Sequence, residues 1–150
     1  MELSDLYSEK ILDLAGNAVQ PGRLDDADVS ARKVSRVCGS TIEVDLKVNG
    51  GIITAYGHEV SACALGQTSA AVVAREVVGT AVGDFLILRQ QMHAMLKADG
   101  APPDGKWEDL RYLEPVRDYP NRHMSTLLVF DAIAAALEKL ESSQAVMAQG

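Results

Sequence analysis

The stretch Thr41-Ile42-Glu43-Val44-Asp45-Leu46-Lys47-Val48-Asn49-Gly50-Gly51-Ile52-Ile53-Thr54-Ala55-Tyr56 alternates apolar with polar residues, pauses at Asn-Gly-Gly and resumes with strand formers. That pattern specifies an antiparallel hairpin, because a tight turn between strands needs two residues at positive φ and glycine adopts that conformation without strain. A hairpin brings its outer ends together. Cys38 and Cys63, the chain's two cysteines, flank this one, in Val37-Cys38-Gly39-Ser40 and Ser61-Ala62-Cys63-Ala64-Leu65-Gly66. Both sulfurs are therefore expected at one end of one sheet, where they would form a shared thiolate site.

Outward from the hairpin the pattern is α+β. Val29 to Val37 adds a third strand, giving a three-stranded antiparallel sheet. Leu3 to Ala15, with Leu6, Ile11, Leu12 and Leu14, reads as an amphipathic helix stopped by Gly16-Asn17, and Asn17 to Asp28 as a linker around Pro21-Gly22. Ala64 to Val78 is an Ala- and Val-rich buried helix ended by Gly79, and Gly83-Asp84 opens another through Leu86, Ile87, Met92 and Leu96. A loop over Ala101-Pro102-Pro103-Asp104-Gly105 leads to a short helical turn at Trp107 to Leu113 and a last helix from Ser125 to Glu141. Several helices packed against one sheet face form a single domain over residues 1–141, with 142–150 expected as a flexible tail.

A chain of 150 residues, 47% hydrophobic, can bury one substantial core. The net charge of −7 and the lack of a basic stripe interleaved with aromatics argue against nucleic-acid binding. No window has the apolar length of a membrane span, and the acidic Met1-Glu2-Leu3-Ser4-Asp5-Leu6 is unlike a basic signal or transit peptide, so a cytoplasmic protein is expected. In a reducing compartment two cysteines are better read as free thiols or metal ligands than as a disulfide. Neither a Walker loop, a dinucleotide fingerprint nor a nucleophile elbow around Ser125 occurs.

In order and local context these motifs resemble the U-type iron–sulfur cluster scaffolds, IscU, SufU and the N-terminal domain of NifU. A helical N-terminus leads to Cys38-Gly39 before the hairpin and Cys63 opening a helix; Leu113-Glu114-Pro115-Val116-Arg117-Asp118-Tyr119-Pro120-Asn121-Arg122-His123-Met124-Ser125 then runs into the apolar last helix. The resemblance implies a SufE/NifU-like fold. In that family an aspartate usually follows Cys-Gly and a third cysteine opens the last helix. Ser40 and Ser125 stand at those positions. A serine hydroxyl stays protonated near neutral pH and is a poor ligand for iron or zinc beside thiolate.

The resemblance assigns cofactor-binding roles to Cys38, Cys63, His123 and Ser125, metal ligation to Cys38, Cys63 and His123, and the nucleophile or sulfur-acceptor role to Cys63. The positive end of a helix favours an anionic sulfur, which singles out Cys63 chemically. Plainer readings stand beside each: Cys38 as a small buried apolar residue, His123 as a capping histidine and Ser125 as the N-cap of the last helix. His58 is at most a supporting neighbour of the site, His93 structural and Asp131 solvated. Arg117 and Arg122 are placed to present charge to a partner.

Three functions fit these residues. The first is a scaffold for iron–sulfur cluster assembly that holds iron, a transient cluster or zinc, with a cysteine desulfurase and iron–sulfur acceptor proteins as partners. The second is a SufE-like sulfur acceptor and carrier using Cys63, and the third a non-catalytic binding relative with nothing bound.

Overall fold

The computed structural model describes residues 7–17, 21–36 and 39–149. Strands β1 (Val29–Val34), β2 (Thr41–Asn49) and β3 (Ile52–Ser61) form an antiparallel sheet in the order β1-β2-β3. The expected hairpin is β2–β3. Its two turn residues, Gly50 and Gly51, have φ of +62° and +78°, which only glycine holds cheaply twice in succession. The register pairs Asn49 with Ile52 at the turn and Thr41 with Ser61 at the far end, with one irregularity between Lys47 and Val48.

Helix α1 (Glu9–Gly16) precedes the sheet; α2 (Ala64–Glu76), α3 (Val82–Lys97) and α4 (His123–Gln149) follow it. Ser8 caps α1, its Oγ accepting from the Ile11 N–H at 3.3 Å; the expected start at Leu3 lies outside the described residues, as does Val37 at the expected end of the third strand. The short turn expected at Trp107 to Leu113 is longer, a run of 3-10 turns over Gly105–Asp118 that buries Leu110, Leu113 and Val116. The last helix continues to Gln149 instead of stopping at Glu141. Ala145-Val146-Met147-Ala148 contains no glycine or proline to end it.

Alternation along the hairpin decides what is inside. Ile42, Val44 and Leu46 share one buried sheet face with Tyr56 and His58, and α4 packs over β1 and β2. Phe85 on α3 stacks against Phe130 on α4, with ring centroids 6.1 Å apart, in the same core.

The opposite sheet face holds what the linker reading did not anticipate. Asp45, 1% exposed, accepts from Arg23 Nε at 2.5 Å, Arg23 Nη2 at 2.9 Å, Ser30 Oγ at 2.5 Å and the Leu24 N–H at 3.0 Å. Four donors satisfy a buried carboxylate and hold residues 22–24 flat against the sheet. The His58 N–H donates to Gly22 O at 3.0 Å, and Gly79 to Val82 bond the start of β3, so this edge strand is covered at its start and again at His58. A Cβ on Gly57, opposite Asp45, would lie 2.4 Å from Gly22 O. Gly57→Ala should force that segment off the sheet and lower stability by about 1–3 kcal/mol, read as a shifted urea midpoint with a native-like circular dichroism spectrum.

Burial holds His58 neutral, its pKa pushed down to about 4, with Nδ1 2.6 Å from the Tyr56 hydroxyl. The unfolded chain takes up this proton near pH 6.5 and the native chain does not, so the contribution is complete above 6.5 and is lost as pH falls toward 4. The loss should reach about 3 kcal/mol. Asp45, held down to about 2 chiefly by its hydrogen bonds from Arg23, adds a second loss only below the ordinary carboxylate range. Urea titrations at pH 7, 5.5 and 4.5 should show stability falling with pH, with a shallower slope in His58→Gln.

Candidate functional site

The pairing of Thr41 with Ser61 places the entry to β2 and the exit of β3 side by side. On the entry side Gly39 and Ser40 close a turn, with the Gly39 N–H bonded to Ser35 O at 2.8 Å and the Ser35 N–H to Ser40 O at 2.7 Å. Cys38 lies outside the described residues. On the exit side the chain runs two residues past Ser61 to Cys63, the N-cap of α2, in extended conformation (φ −66°, ψ 172°). Its carbonyl accepts the first helical hydrogen bond, from the Gln67 N–H at 2.9 Å. The sulfur makes no capping bond. It is a free, half-buried thiol.

The first turn of α4 closes on this thiol. Ser125 Oγ lies 3.5 Å from Cys63 Sγ and donates to Arg122 O at 3.3 Å, with the residue 1% exposed. The contact depends on Gly66, where a Cβ would lie 3.1 Å from Ser125 O and 2.9 Å from the Ala62 Cβ. Ser125 is not the expected N-cap. The 3-10 turn Pro120–Arg122 runs directly into α4, so Ser125 falls inside the helix and turns its hydroxyl back on the preceding turn.

His123 starts the same helix but points elsewhere, since residues two apart do not share a helical face. Its Nε2 lies 3.0 Å from Val116 O and 3.1 Å from Arg117 O. That nitrogen is therefore a donor to carbonyls, and Nδ1 is the one left for any ligand. The structure brings Cys63 and Ser125 together and directs the bonded nitrogen of His123 into the 3-10 segment. Among the described residues no group of three His, Cys, Asp or Glu side chains is arranged to hold a metal ion.

Two readings of charged residues are corrected. Asp131 is not a solvated residue: its Oδ1 accepts from Arg89 Nε and His93 Nε2, both at 2.8 Å, tying α3 to α4. Arg117 does not present its charge outward, because Nε donates to Met95 O at 3.1 Å and Nη2 to Gly100 O at 2.9 Å, satisfying carbonyls at the end of α3. Sequence reasoning also passed over Gly66. A glycine in the first turn of an otherwise Ala- and Val-rich helix was the available sign of a close approach.

The arrangement defines a class: an α+β domain that carries a partly accessible thiol at the head of a helix, at the open end of a three-stranded sheet. Residues 6–106 match the family described as NifU-like N terminal domain, and the chain belongs to that family. It is 28% identical over 135 residues, 90% of this chain and 94% of the relative, to a protein of Thermotoga maritima named iron-sulfur cluster assembly scaffold protein IscU. The crystal structure of a NifU-like protein (N-terminal) from Brucella abortus superposes with a TM-score of 0.90 at 45% identity, covering 93% of this chain and 97% of that one. A structure described as a putative SUF-system scaffold from Fervidobacterium islandicum shares the fold, with a TM-score of 0.82 at 20% identity over 91% of this chain and 99% of that one.

The exposure of Cys63 has a direct consequence. Native protein treated briefly with iodoacetamide near neutral pH should be labelled at Cys63 in peptide mass mapping; a Cys63 that stays inert until the chain is denatured would count against any thiol function.

Proposed function

We propose that this chain is a scaffold for iron–sulfur cluster assembly, carrying iron and the nascent cluster as cargo on thiolates at the open end of the sheet. The observation that carries the reading is Cys63 at the head of α2, half-buried and not used as a cap, in a chain of the NifU-like N-terminal domain family. Cys63 is the principal ligand and sulfur acceptor, Cys38 the second thiolate, and Nδ1 of His123 a further donor. Zinc competes for the same thiolates.

The substitution of serine for a third thiolate sets how such a site behaves. Ser125 beside Cys63 contributes a neutral hydroxyl where a soft anionic ligand would hold iron tightly, so cargo is bound weakly and released readily. A cysteine desulfurase supplies the sulfur and iron–sulfur acceptor proteins take the product. No helix among the described residues is long and apolar enough to cross a membrane, and we place the protein in the cytoplasm.

One observation favours the carrier as second reading: the sulfur of Cys63 has a hydroxyl neighbour at 3.5 Å, and a persulfide needs a polar neighbour but no third ligand. Two variants separate the readings. In a scaffold, Ser125→Cys should raise cluster occupancy after anaerobic reconstitution and lengthen its lifetime several-fold, and Cys63→Ser should abolish it. In a carrier, Ser125→Cys leaves persulfide formation with a desulfurase nearly unchanged while Cys63→Ser removes it. Absence of both responses would leave a binding relative that retains the fold alone.

A further inference from the structure

A serine, threonine or aspartate at a helix N-cap anchors its own side chain by accepting an N–H of the first turn. Cys63 holds that position in α2 and its sulfur makes no such bond, so whatever aims the thiol acts through the backbone. The joint between β3 and α2 is two residues long, Ala62 and Cys63, and Gln67 grips both. Its backbone N–H donates to Cys63 O at 2.9 Å, the ordinary helical bond. Its side-chain Nε2 donates to Ala62 O at 2.7 Å, a bond that no helix supplies.

The Ala62 carbonyl belongs to the peptide plane before Cys63, and the Cys63 carbonyl to the plane after it. With both planes held by one residue, Cys63 is set at φ −66° and ψ 172°, and the direction of its Cα–Cβ bond is set with them. Ala62 is packed as well as bonded, since its Cβ would lie 2.9 Å from a Cβ on Gly66. What this direction delivers is the contact with Ser125. The single hydroxyl proton of Ser125 goes to Arg122 O at 3.3 Å, so across the 3.5 Å to Cys63 Sγ the thiol is the donor. A thiol is a weak donor, and its bond survives only while the sulfur stays aimed.

We propose that Gln67 is a positioning residue for Cys63: by tying the Ala62 carbonyl to α2 it aims the thiol at Ser125 Oγ and presets the sulfur for the cargo it takes up. The part played in holding cargo rests on the scaffold reading. The aim of the thiol does not, because it follows from bonds within the chain.

In the full chain carrying Cys38→Ser, Cys63 is the one thiol, and its S–H infrared band reads the bond to Ser125. Gln67→Met keeps the length of the side chain and removes the donor. It should move that band toward the free-thiol frequency and raise alkylation of Cys63 by iodoacetamide about two- to tenfold, the ratio that one net hydrogen bond supports. Gln67→Glu, which sets a carboxylate against the carbonyl, should shift both at least as far. Ser125→Ala should change the alkylation rate when Gln67 is present and leave it unchanged in Gln67→Met, because the two substitutions break one arrangement. In the chain with both cysteines, reconstituted anaerobically with ferric iron and sulfide, Gln67→Met should shorten the cluster lifetime several-fold. An unmoved S–H band in Gln67→Met, or effects of the two substitutions that simply add, would overturn the positioning role. A moved band with an unchanged cluster lifetime would overturn its part in holding cargo. A parent chain that takes up no cluster while the band and the coupling behave as expected would overturn the scaffold reading and leave the aim of the thiol standing.

Discussion

The pairing of β2 with β3 is the constraint on which the rest of the molecule depends. Gly50 and Gly51 turn the chain at positive φ and the irregularity between Lys47 and Val48 shifts the pairing by one residue; together they determine every later pair in the ladder, and a further slip of one residue would carry Ile42, Val44 and Leu46 from the core to the outer face. The same register sets Thr41 beside Ser61 and delivers Cys63 to the end of the sheet where β2 begins. The site is the geometric remainder of a two-residue turn some nine residues away.

Two polar arrangements keep that ladder from slipping. Asp45 on the outer face is surrounded by Arg23, Leu24 and Ser30, and leaving those donors unmatched would cost more than the net gain of each bond. On the inner face His58 and Tyr56 satisfy each other inside the core. The Asp45 arrangement rewards one register alone, since Arg23, Leu24 and Ser30 meet Asp45 only when the sheet is in place, whereas Tyr56 and His58 lie two residues apart on β3 and fix which face of that strand turns inward.

Around Cys63 the chain joins a rigid frame to a single polar neighbour, the Ser125 hydroxyl. Helices α2 and α4 meet closely because residue 66 has no side chain, so Ser125 is held against the sulfur by packing. A hydroxyl there is polar enough to accompany a thiol, thiolate or persulfide and too weak a ligand to retain iron alone. In the proposed scaffold role, a rigid frame with a weak grip would suit a protein that must give up what it carries.

Period and punctuation in the sequence determined the hairpin, the order of elements, the α+β class and the position of Cys63 at a helix head, because these rest on local preferences of neighbouring residues. The motif order around Cys38, Cys63 and Ser125 was enough to point to the family. Tertiary structure alone decided what the polar residues do. Asp45 and Asp131 look like ordinary surface acids in the chain, yet one is buried under Arg23 and the other joins α3 to α4, since their partners are 22 and 42 residues away. Ser125 read as a cap and lies inside α4 because a 3-10 turn precedes the helix, and His123 gives its Nε2 to the carbonyls of Val116 and Arg117. A hydrogen bond between distant segments leaves no periodic trace in sequence, and it exists only once the hairpin and helices have brought its two ends together.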